Sequence, residues 1–65
     1  MQLQVNGDPL EFSGKTISDL LDQLQLQGRR LAVEVNREIV PKGEHADFAL
    51  SADDKIEIVH AIGGG

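Results

Sequence analysis

Gly63, Gly64 and Gly65 form the part of this sequence best suited to chemistry. A residue without a Cβ lets backbone pass through a channel that any side chain would block, and three glycines after a strand-like stretch add nothing to a core. Two readings follow: an end with no role, or an arm that enters a narrow site on another protein. In the second reading the working group is the α-carboxylate of Gly65. Ionised at neutral pH, a carboxylate is a poor electrophile, so acyl chemistry on it needs prior activation, most simply as a mixed anhydride with AMP. Such a chain is the substrate of a partner enzyme. Extended, the four residues after Ala61 reach about 13 Å, enough to place Gly65 in a partner's pocket while the globular body stays outside.

The remaining residues offer little other chemistry. The 65 residues contain no Cys and two His, which excludes a disulfide and leaves too few ligands for a structural zinc. No nucleophile and base pair, metal-ligand cluster or phosphate-binding loop is visible, and a chain this short is expected to enclose too little volume for a pocket of a few hundred Å³. No catalytic residue, metal or bound cofactor is therefore expected. His60 falls on the inward phase of the last strand and His45 has no sequence-adjacent partner, so both read as packed or capping histidines. The formal charge of −5 argues against nucleic acid and favours partners with basic surfaces. Arg29-Arg30 reads as a solvated loop. No apolar run approaches the roughly 20 residues that span a bilayer, and Met1-Gln2-Leu3-Gln4 lacks the features of a signal peptide, so a cytoplasmic protein is expected.

The elements that must position the tail are legible in the patterning. Met1, Leu3 and Val5 alternate with polar residues as in a half-buried strand. Asn6-Gly7 then predicts a two-residue hairpin loop that pairs Leu3 with Leu10 and Met1 with Phe12, and Pro9 puts the second strand at a sheet edge. Thr16 is a candidate N-cap with Asp19 in the first turn. Ile17, Leu20, Leu21 and Leu24 then form one face of an amphipathic helix predicted to end near Gly28. Leu31, Val33 and Val35 mark a third strand, Asn36-Arg37 a second tight turn, and Glu38 to Val40 a fourth strand stopped by Pro41. Residues 42–52 read as irregular or briefly helical, with His45, Phe48 and Leu50 touching the core. After turn residues Ser51 to Asp54, Ile56, Ile58, His60 and Ile62 alternate with Lys55, Glu57, Val59 and Ala61 in a final strand. The sum is an α+β fold, a mixed sheet of four to five strands with one main helix on one face. One domain over residues 1–62 and a glycine tail over 63–65 are expected.

Over its full length the chain resembles the ubiquitin-like sulfur carriers, and among them those of thiamine biosynthesis. The resemblance is carried by Met1 to Gly7, by Ala32-Val33-Glu34-Val35-Asn36 with Ile39-Val40-Pro41, by Asp53-Asp54, and by Val59-His60-Ala61-Ile62-Gly63-Gly64-Gly65. It implies a β-grasp fold and a Gly65 carboxylate adenylated with ATP by an adenylyltransferase related to the ubiquitin-activating enzymes. Sulfur then replaces AMP to give a thiocarboxylate, drawn from cysteine through a desulfurase or related donor and passed to thiazole synthase. A chain without a thiol agrees with this, because its terminus is the only place for the sulfur. Gly63 extends the usual terminal pair and is expected only to lengthen the arm.

On this reading Ile62, Gly63 and Gly64 are the partner-binding tail, and Val59, Ala61 and Ala32 form a small apolar docking surface on the exposed face of the sheet. Three other readings compete. A molybdopterin-synthase sulfur carrier shares the tail chemistry and differs in the receiving enzyme; a ubiquitin-like modifier would join Gly65 to target lysines; a non-covalent binding module would leave the tail inert.

Overall fold

Two asparagines open the two hairpins. Asn6 and Asn36 both sit at φ 51°, followed by Gly7 at 86° and Arg37 at 74°, and positive φ at both central residues marks a type I′ turn, whose twist matches that of the flanking strands. In the computed structural model, which describes residues 1–60, strands β1 (Gln2–Val5) and β2 (Asp8–Glu11) pair across the first turn with Leu3 opposite Leu10. The Phe12 N–H donates to the Met1 carbonyl at 2.7 Å, so the predicted register extends to that pair. Strands β3 (Leu31–Val35) and β4 (Glu38–Val40) repeat the arrangement, with Val35 opposite Glu38.

The last strand, β5 (Lys55–His60), inserts between the hairpins, parallel to β1 and antiparallel to β3, giving the order β2-β1-β5-β3-β4. Edge placement of β2 means that the missing N–H of Pro9 costs no ladder bond. Asn36 pins the start of β5: its Oδ1 accepts the Lys55 N–H at 3.0 Å, and its Nδ2 donates to Asp54 Oδ1 at 3.0 Å. Leu3, Val33 and Ile56 from the sheet meet Phe12, Ile17 and Leu20, all fully buried. The expected α+β layering is present, with five strands. The domain boundary expected at residue 62 lies outside the described residues.

Helix α1 (Ile17–Gln23) is held at its start from two directions. Thr16 Oγ1 accepts the Asp19 N–H at 3.2 Å, while Asp19 Oδ2 accepts from Lys15 N–H at 2.9 Å and Thr16 N–H at 3.1 Å. Together these bonds form a capping box. The backbone donors of Lys15 and then Thr16 stabilise the ionised form and hold the Asp19 carboxyl below its ordinary pKa. Two further first-turn donors go to a distant loop, Ile17 N–H to Phe48 O at 3.2 Å and Ser18 N–H to His45 O at 3.1 Å. The loop is set by a 3₁₀ turn (Lys42–Glu44) after Pro41. His45 is buried and its Nε2–H donates to Val40 O at 2.9 Å, so this residue ties the end of β4 to the start of the helix. Leu50 is buried and Phe48 packs against the core, as expected of that stretch.

The helix stops earlier than its predicted end near Gly28. Leu24 is the C-cap, Gln25 sits at φ 59°, and the N–H groups of Gln25 and Leu26 donate to Asp22 O at 3.0 Å and Leu21 O at 2.8 Å. That pair of bonds is a Schellman stop. A glutamine occupies the left-handed position where glycine is usual, and Leu26 packs back on the core, so burial rather than backbone preference ends the helix. Gln25→Gly is therefore expected to raise the unfolding free energy by about 1 kcal/mol, read as a higher denaturant midpoint. A lower midpoint would show that the Gln25 side chain does more than occupy the turn.

Candidate functional site

Residues 61–65 follow directly from β5 in the sequence and lie outside the described residues, so the described part of the site is the way this strand is held. Toward β3 it is paired from Leu31↔His60 to Val35↔Ile56. Toward β1 the strand pairing covers only Gln4↔Lys55 and Val5↔Ile56, because β1 turns away at Asn6. There a side chain continues the ladder: Asn6 Oδ1 accepts the Ile58 N–H at 2.8 Å and its Nδ2 donates to Ile58 O at 3.3 Å.

Of the site residues expected from the sequence, Ala61, Ile62, Gly63, Gly64 and Gly65 lie outside the described residues. Ala32 and Val59 are brought together as direct partners across β3 and β5. Both are exposed, Val59 to 57%, on the sheet face opposite the buried Val33 and Ile58. Sequence reasoning missed a third apolar side chain on this face, Ile39, which is 69% exposed. The signal was the adjacency of Ile39 and Val40 in one strand, since successive residues face opposite sides and only one of them can be inside.

Ile39 stands opposite Glu34, and Glu34 opposite Glu57. One row of the outer face thus reads Ile39, Glu34, Glu57, with Ala32 and Val59 in the next. Like charges directly across a strand pair repel, and this row is acidic beside the apolar Ile39, Ala32 and Val59.

Two expectations are corrected. His60 is exposed, not packed: α1 has seven residues, so it is only about 10 Å long and does not cover the far end of β5, where Leu31 opposite His60 is itself only half-buried. The chain also carries a larger hollow than its length suggested, an open groove of about 490 Å³ between β4, the 3₁₀ turn and the loop after it. Its lining includes Ile39, Pro41, Glu44, Phe48 and Ser51, and no His or Lys stands there to act as a base toward Ser51. Among the described residues no three His, Asp or Glu side chains are gathered to hold a metal ion, and no helix is long and apolar enough to cross a membrane.

Residues 3–65 match the ThiS family, through to the last glycine. The chain is 42% identical to the sulfur carrier protein ThiS of Bacillus subtilis, over 97% of this chain and 98% of that one. It is 47% identical to a segment of a thiazole synthase from Paramagnetospirillum magneticum, where it spans only 20% of the relative's length; the same share applies to a thiazole synthase from Magnetococcus marinus, at 39% identity. The crystal structure of a thiamine biosynthesis protein (ThiS) from Geobacter metallireducens superposes with a TM-score of 0.86 at 29% identity, with both chains fully covered. The five-stranded mixed sheet with its one helix is the β-grasp fold of that neighbour.

Proposed function

Because this chain belongs to the ThiS family, we propose that it is a sulfur carrier for thiazole formation in thiamine biosynthesis, with the Gly65 carboxylate as its working group. The observation that carries the proposal is a family match running through Gly65, on a body whose central strand leads into that tail. A carboxylate oxygen of Gly65 attacks the α-phosphorus of ATP on an adenylyltransferase related to the ubiquitin-activating enzymes, displacing pyrophosphate. The terminal sulfur of a persulfide, supplied from cysteine by a desulfurase-type donor, adds to the acyl carbon and expels AMP; a second thiol then attacks the donor-side sulfur of the resulting acyl disulfide, leaving the thiocarboxylate and carrying the donor sulfur away as a disulfide. Thiazole synthase receives this sulfur. A segment similar to this chain occurs within proteins named thiazole synthase, which supports the thiazole branch over a molybdopterin one.

The chain itself acts as substrate and not as catalyst, and ATP is bound by the partner rather than by this protein. Ile62, Gly63 and Gly64 form the part of the tail that threads into each partner, where the lack of side chains lets backbone approach closely. Because they use ATP and cysteine-derived sulfur, we assign these steps to the cytoplasm as part of the same proposal. The test is intact mass after incubation with ATP, a sulfur donor and the activating enzyme: the expected gain equals the difference between sulfur and oxygen at one atom. No gain, with an enzyme active on a known carrier, would overturn the proposal.

Docking uses the outer face of the sheet at Ala32 and Val59; Ala61, which the sequence assigns to the same surface, lies outside the described residues. Val59→Glu puts a further acid beside Glu57 in an exposed position, so folding is retained while affinity for the activating enzyme is expected to fall about tenfold or more. Titration calorimetry reads the change. Unaltered affinity would remove this face from the interface.

A further inference from the structure

We infer that Asn6 is a positioning residue for the carrier's tail: its side-chain amide stands in for a missing strand beside β5 and fixes the root from which the tail leaves. The inference rests on the carrier reading above. It starts from an asymmetry in how β5 is held. On the β3 side the ladder runs to Leu31↔His60, whereas on the β1 side it stops at Val5↔Ile56, two residues short of Ile58. Asn6 spans that gap with one accepting and one donating bond, at 2.8 and 3.3 Å, to the backbone of a residue 52 positions away. A main-chain strand would make the same pair of bonds.

The location of Asn6 suits the task and does not follow from the turn alone. A type I′ loop needs positive φ at its first central position, which glycine provides as well as asparagine. What asparagine adds is an amide that both donates and accepts, and here both functions are used on the N–H and C=O of one residue of β5. Without them Ile58 loses its partners on that side, and residues 58–60 are tethered through β3 alone. The ordered root of the tail then retreats toward Ile56, and a partner that takes the tail must order additional residues on binding. Ordering one more residue weakens docking by about tenfold. The chemistry at Gly65 is unchanged once the tail is seated, so the loss belongs in KM and not in kcat.

A sharp control lies at the other end of the same strand. Asn36 has the same φ and also uses its amide to hold β5, at Lys55, but it is remote from the tail root. Asn6→Gly and Asn36→Gly both keep the backbone conformation and both remove one side-chain clamp. A purely structural role predicts that the two behave alike.

The experiment compares wild type, Asn6→Gly, Asn6→Asp and Asn36→Gly, all at a temperature where each is fully folded. Their KM and kcat are read as carrier substrates from ATP-dependent pyrophosphate release by an activating enzyme that turns over the wild type. Amide exchange of residues 58–60 is followed alongside that of Leu20 in α1. For Asn6→Gly we expect a KM about tenfold higher, kcat within about twofold, and faster exchange at 58–60 but not at Leu20. Asn6→Asp tolerates the same φ and keeps the shorter bond, from Ile58 N–H, so it restores most of the KM. Asn36→Gly leaves KM at the wild-type value. An unchanged KM for Asn6→Gly, or an equal rise for Asn36→Gly, overturns this inference alone; a wild-type chain that no activating enzyme adenylates overturns it together with the carrier reading.

Discussion

Gly65→Ala, or extension of the chain by one residue, is expected to leave folding untouched and to reduce thiocarboxylate formation by about a hundredfold or more. The separation is sharp because the two properties reside in different residues. Leu3, Phe12, Ile17, Leu20, Val33 and Ile56 are fully buried within the described residues 1–60, and neither change touches them, so thermal unfolding should be indistinguishable from wild type. On the proposed carrier reading, reaction at the terminus depends on placing one carboxylate oxygen in line with the α-phosphorus of ATP, and an added residue moves it by roughly 3.5 Å, where misplacement by about 1 Å already costs about a hundredfold. A methyl group at residue 65 acts differently: it thickens the chain at the point that must pass deepest into the partner. Intact mass after incubation with ATP, activating enzyme and sulfur donor reads both variants, with the unmodified wild-type chain as reference. Sulfur incorporation at the wild-type rate in either variant would sink the assignment of Gly65.

The largest expected effect on stability is at Phe12. Its ring is fully buried at the end of the first hairpin, and a Cβ at Gly14 would lie only 2.8 Å from its Cζ, a measure of how closely the backbone wraps the ring. Phe12→Ala removes the ring and leaves a cavity that the tight wrapping cannot close, a cost of about 3–5 kcal/mol. For a domain of this size the total stability is about 3–10 kcal/mol, so the variant is expected to lose a large part of it. Urea denaturation followed by circular dichroism measures it. A loss below about 1 kcal/mol would mean that the ring is not part of the cooperative core. If expression fails, Phe12→Leu, which keeps much of the apolar volume, should fold with a smaller loss of about 1–2 kcal/mol.

The parts of this protein legible in its sequence are those encoded over a few neighbouring residues. Asn6-Gly7 specified a turn and with it the register Leu3↔Leu10; Asn36-Arg37 did the same for the second hairpin. Thr16 with Asp19 marked the helix start because a capping box is closed within three residues. The candidate site was proposed on equally local grounds, three glycines and a carboxylate whose chemistry needs no fold around them, and it lies outside the described residues. Sequence reasoning went astray where a local preference was outweighed at a distance. Gln25 adopts the left-handed conformation because Leu26 gains burial, and His60 keeps the inward phase of its strand but meets no helix above it.

Strand order and the docking face belong to the tertiary structure. No local pattern states that β5 should lie between β1 and β3, because that placement is chosen by which apolar faces bury each other best once both hairpins exist. From it follow the meeting of Ala32 with Val59, the facing carboxylates of Glu34 and Glu57, and the reach of Asn6 to Ile58. The sequence alone determined the hairpins and the helix start, since turns, caps and alternation depend on short-range sterics and hydrogen bonds, and it is the sequence that proposes Gly65 as the reactive end. The fold decided how β5 is held, since contacts between residues more than fifty positions apart form only when the whole core is buried.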